Sequence, residues 1–86
     1  MRREPMKQQS RYFLRKRSRF ANKEYYHESG LQDVGTAGEQ AYINWTRYLD
    51  EARGFNTLRA AVKMADMVEE KYGVRVDVVN RHGEIV

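Results

Sequence analysis

No cysteine occurs in the 86 residues, and proline appears once, at position 5. Without cysteine there are neither disulfides nor thiolate metal sites to staple a small core, and nothing marks a redox compartment. His27 and His82 are the only histidines, and no spaced carboxylate set accompanies them, so no metal-ligand pattern is recognisable. No apolar run approaches the ~20 residues of a membrane span, and the basic N-terminus lacks the apolar segment of a signal peptide. The expectation is a cytoplasmic protein without membrane contact. Gly30, Gly35 and Gly38 are not followed by the lysine and hydroxyl of a phosphate-binding loop. Glu69 and Glu70, adjacent on a helix, diverge into a solvated face rather than forming an acid–base pair. Neither catalysis nor a cofactor is expected.

What is present suits one small binding domain, residues 1–86. Hydrophobic residues make up 41% and charged residues 33%, a globular balance rather than a disordered one. A chain of this size buries only about 60% of the surface its unfolded form exposes, so packing alone must supply a modest stability. The net charge of +4 conceals an asymmetry. Residues 1–23 carry nine basic side chains against Glu4, a balance of +8, whereas the remaining 63 carry seven basic and eleven acidic, a balance of −4. Clustered cations favour a polyanionic partner, although a basic face also serves solubility.

The segment "NTLRAAVKMADMVEEKYG" (56–73) spaces Leu58, Ala61, Val62, Ala65, Val68 and Tyr72 on one helical face. Asn56 or Thr57 caps its start and Gly73 its end, which gives a main helix over 57–72. Met64 and Met67, at the edge of the stripe, complete the core or form an adaptable contact surface. The following "VRVDVVNRHGEIV" alternates valines with charges and then turns through Asn80 and Gly83, predicting a C-terminal hairpin.

The stretch "RYFLRKRSRF" (11–20), read as a strand, sends Tyr12, Leu14, Lys16, Ser18 and Phe20 to one side and Arg11, Phe13, Arg15, Arg17 and Arg19 to the other. The arginines then form a ladder that can follow a phosphate backbone, with Phe13 offering a ring for stacking. The same pattern also fits an edge strand protected by cations. A helix from Ser10 to Gly30 is the competing assignment, since both ends resemble caps.

Residues 36–54, "TAGEQAYINWTRYLDEARG", fit two templates. A capping box from Thr36 to Glu39 and a terminal Gly54 suit a helix. The β-branched and aromatic run "AYINWTRY" suits a strand. The order "YFLRK", an aromatic strand with Trp45, "LDEARGFNTLRAAVKMA" and a final "VRVDVV" resembles the small ββ(β)αβ domains of phage and mobile-element proteins. Their D-x-A-x-x-F-x-[ST]-x-x-x-A pattern is met by Asp50, Ala52, Phe55, Thr57 and Ala61. The resemblance spans roughly residues 12–79, favours the strand, and implies packing rather than a functional site. It also implies, from similarly built inhibitors of host defence or host enzymes, an anti-defence role.

The expected fold is therefore α+β, with a small antiparallel sheet packed on one main helix and a C-terminal hairpin. The alternative is a two-helix hairpin plus a β-hairpin. A flexible basic arm (1–9) and a long loop (about 21–40) are also expected, the latter offering Tyr25 and Tyr26, beside His27, as contact residues. Two functions follow from these features. One is a non-enzymatic module binding nucleic acid with little sequence selectivity through Arg11, Phe13, Arg15, Lys16, Arg17 and Arg19. The other is an inhibitor or adaptor docking on an acidic protein surface through the same strand and the tyrosines. A homodimer covering a bare sheet face is a third option.

Overall fold

The alternating valines after the helix form an edge strand of the sheet, because they pair with residues 13–16. The computed structural model describes residues 10–18, 23–35 and 38–86. The proposed basic arm 1–9 and Arg19 lie outside them. Strands β1 (Phe13–Lys16), β2 (Tyr25–Asp33), β3 (Glu39–Thr46) and β4 (Val76–Val79) make one antiparallel sheet in the order β3-β2-β1-β4. Helix α1 (Leu58–Tyr72) covers one of its faces. Phe13 pairs with Val79 and Lys16 with Val76, so the central strand is completed by the last one. The C-terminal hairpin is present as a bridge from Val79 to Ile85.

Helix α1 begins where Thr57 Oγ1 accepts the Ala60 N–H at 3.1 Å, which satisfies one of the orphan donors of the first turn. It ends at Gly73, whose φ of 71° is open to glycine at little cost. Ala61 and Val68 are buried against Leu14, Tyr26 and Phe55, with Met64, Ala65, Met67 and Tyr72 packed around them. The methionines thus sit at the core margin. Leu58 and Val62 do not join them: both are exposed, at 45% and 43%, so that flank of the helix is uncovered.

Two expectations are corrected. The two-helix alternative fails, since both segments proposed as helices contain strands. The span expected as a long loop, about 21–40, instead holds β2 and the start of β3. The pair forms a hairpin whose outer half is exposed, with Leu31 59% accessible. Its strands stay in register through Gly30, which lies opposite Tyr42. The Tyr42 ring fills the space beside that glycine, so an added Cβ would meet its hydroxyl at 3.2 Å. A bulge at His27, between Tyr26 and Glu28, shifts the register and hides the alternation of β2 from a simple pattern search. The ambiguous 36–54 segment resolves into β3 followed by a short 3-10 turn at Leu49–Glu51.

Candidate polyanion interface

Alternation along β1 divides the basic residues between two environments. Leu14 belongs to the helix-side core, whereas Phe13 belongs to a second buried cluster with Tyr25, Ala52 and Val79, closed by Leu49. Arg15 and Arg17 share the parity of Phe13 and Lys16 that of Leu14, as expected for a strand.

Phe13, proposed as a stacking ring, is only 1% accessible and cannot serve a ligand. The face opposite the helix is not open at that point, because the segment after β3 folds across it. Arg53 donates its N–H to Tyr26 O at 3.0 Å, and Phe55 exchanges backbone bonds with Tyr12 at 2.8 and 3.0 Å. Tyr25 and Tyr26 are likewise buried, at 7% and 2%. They point to opposite faces and anchor one cluster each, which removes them from the contact surface. The Tyr26 hydroxyl is held 2.7 Å from Ser29 Oγ, and its ring meets Trp45 edge-on at 6.4 Å.

The cations are partly engaged. Lys16 lies on the helix side, 3.2 Å from Glu24 Oε1 and 4.9 Å from the centre of the Trp45 ring. This ion pair and cation–π contact separate it from the arginine face. On that face Arg15 Nη1 donates to Gly83 O at 3.1 Å. Arg17 donates from Nε and Nη2 to Asp77 Oδ1 at 3.2 and 2.7 Å. The hydrogen bond to Asp77, and then its charge, raise the Arg17 pKa further above its ordinary value, so this side chain stays cationic at every working pH. A guanidinium carries five donors, so these bonds need not break for a further acceptor to be met.

Arg11 is exposed, and Arg81, which the sequence pattern did not single out, stands beside it. Pairing of β4 with β1 brings the turn after β4 to the start of β1, where Arg81 Nε donates to Ser10 O at 3.2 Å. Arg11, Tyr12, Asn80, Arg81, His82 and Val86 line an open cleft of about 730 Å³. The turn is firm: Asn80 Oδ1 accepts the N–H groups of His82 and Glu84, both at 2.9 Å. The turn itself was legible, but its placement was not, since that required knowing the partner strand of β4.

Charge is therefore partly segregated. The described span of β2 and β3 carries Glu28, Asp33 and Glu39 and no lysine or arginine, while Arg11, Arg15, Arg17 and Arg81 gather at β1 and the last turn, where Asp77 and Glu84 are the carboxylates among them. Among the described residues there is no group of three or more His, Cys, Asp or Glu side chains able to hold a metal ion, and no helix is long and apolar enough to cross a membrane. No protein-family model, curated protein or solved structure matches the chain.

Proposed function

We propose that this chain is a non-enzymatic nucleic-acid-binding module that uses the arginine end of its sheet to contact phosphates. The observation that carries this reading is the convergence of Arg11 and Arg81 at one open cleft, continued along the sheet by Arg15 and Arg17, with the carboxylates of the hairpin kept away from it. Arginine suits the task because its planar fork meets phosphate oxygens bidentately. Selectivity for base sequence is weak in this reading: α1 buries its Ala61 and Val68 face against the sheet, and contact is with the backbone.

The test is fluorescence anisotropy with labelled duplex DNA, single-stranded DNA and RNA of mixed sequence. Four phosphate contacts on duplex DNA predict a loss of roughly 10²-fold in affinity between 50 and 200 mM salt. An Arg11→Glu/Arg81→Glu variant that retains its circular dichroism spectrum should lose most of the binding. Equal affinity of the variant, or no binding to any polymer at physiological salt, sinks the reading.

One observation favours a protein partner instead. On one flank of the helix, Phe55, Met64 and Met67 floor a groove of about 440 Å³ bordered by Arg53 and Lys63; on the other side of Lys63 the exposed Leu58 and Val62 line a separate hollow with Arg59 and Asp66. An apolar floor with a cationic rim fits an acidic, amphipathic protein segment. That is the kind of contact a host-directed inhibitor, implied by the ββ(β)αβ resemblance, would use. Nucleic-acid binding that survives Lys63→Glu but not Arg11→Glu separates the two surfaces.

A further inference from the structure

The two edges of the sheet are finished differently. Beyond β4 the chain doubles back, where Ile85 forms an isolated bridge with Val79 and Val86 N–H donates to Val78 O, so that edge is blunted by the returning segment. Strand β3 forms the other edge, and among the described residues no strand pairs with its outer side. Soluble proteins protect such an edge with lysine, proline, a bulge or a very short strand. β3 is eight residues long, reads EQAYINWT, and holds neither lysine nor proline. Its register shift lies on the inner side, facing β2. The Tyr72 hydroxyl donates to Tyr42 O at 2.9 Å, and a carbonyl oxygen has a second lone pair for another donor.

We propose that β3 pairs antiparallel with β3 of a second copy, across a two-fold axis through Ile43, to give a continuous eight-stranded sheet. The choice of occupant and register follows from the strand itself. Residues directly opposite in an antiparallel pair lie on the same face, so the axis must pass through a residue position rather than between two. An axis through Tyr42 sets Glu39 opposite Trp45, and an axis through Asn44 sets Arg47 opposite Ala41, leaving a charge unmatched in each case. The axis through Ile43 sets Glu39, the first residue of β3, opposite Arg47, the residue that follows its last, at both ends of the contact. Between these ion pairs, Gln40 faces Thr46, Ala41 faces Trp45, Tyr42 faces Asn44, and Ile43 meets its own copy. Glu39 and Arg47 are both exposed, so the pair is available. Ile43 and Trp45 are packed on the helix-side core but only half-buried, and the second copy extends that core across the axis. The contact does not depend on the nucleic-acid reading. Its consequence there is a dimer with two arginine ends and increased avidity for a long polyanion.

Sedimentation equilibrium of the intact chain should show a monomer–dimer equilibrium. Glu39→Arg and Arg47→Glu each place like charges at both ends of the contact and should raise the dimer Kd at least about tenfold, whereas the double variant should return to within about threefold of the parent. The absence of native cysteine permits a clean second readout. Ile43→Cys should form a disulfide-linked dimer under mild oxidation, because facing Cβ atoms on paired strands stand about 4.5–5.5 Å apart and need only a small approach to reach the ~3.5–4.5 Å of a disulfide, while Arg59→Cys, on the outer side of α1, should not. A monomer at millimolar concentration overturns the proposal. So does a dimer in which the two charge reversals act additively, or one that cross-links equally at position 59.

Discussion

Gly54 sits where the start of the chain crosses the segment leading into the helix, and replacing it with alanine tests whether that crossing is as tight as described. An added Cβ would lie 2.5 Å from Ser10 Oγ and 3.0 Å from Phe13 Cε1, with Ser10 Cβ closer still. The obstacle is the base of a side chain rather than its far end, so relief requires moving the backbone that donates Arg11 and Tyr12 N–H to Phe55 O at 3.1 and 3.0 Å. Gly54 is not among the positive-φ glycines, so alanine is compatible with its backbone and gains about 0.4–1 kcal/mol by restricting the unfolded chain. Overpacking a close contact costs about 1–3 kcal/mol, which leaves a net destabilisation of roughly 1–2 kcal/mol. For a domain of this size each kcal/mol lowers Tm by about 4–8 °C, so Gly54→Ala should melt roughly 5–15 °C below the parent in a circular dichroism scan. Ser10→Gly removes the main obstacle and should recover part of the loss in a double-mutant cycle, with a coupling of about 1 kcal/mol, while the Phe13 contact keeps recovery incomplete. A Gly54→Ala protein as stable as the parent, or strict additivity with Ser10→Gly, refutes the reasoning.

Thr57→Ala should cost about 1 kcal/mol, because the Ala60 N–H loses its side-chain acceptor; urea midpoints read this directly, and Thr57→Ser should restore it. Val68→Ala removes two methyl groups from a fully buried site of the helix-side core and should cost about 2–3 kcal/mol with an unchanged m-value. A loss of less than about 1 kcal/mol would mean that α1 is not packed on the sheet through this residue.

Helix α1 was legible because three signals agree: an apolar period, a hydroxyl at the N-cap and a glycine at the C-cap. The flank it buries was only half legible. Periodicity places Leu58 and Val62 with Ala61 and Val68, but it does not report which part of that stripe is covered, and those two are exposed. Strand β2 was missed because both faces of its outer half meet solvent, so nothing forces its side chains to alternate. In the arginine stretch the parity of each side chain was readable, and the structure keeps it. What could not be read was that a distant segment carrying Leu49 and Ala52 would cover Phe13, or that Arg81 would arrive beside Arg11. Both depend on long-range pairing that no local pattern encodes.

That pairing also sets the order in which the molecule can be made. The central strand precedes its neighbour β4 by a long stretch of chain, with Arg17 and its partner Asp77 60 positions apart. The β2–β3 hairpin and α1 can form early from local contacts, but the sheet that joins them stays one strand short until residues 76–79 have been made. During synthesis β1 therefore exposes a raw edge and the side chains of Phe13 and Leu14. A nascent chain paused before residue 76 is an adhesive species rather than a smaller version of the finished domain.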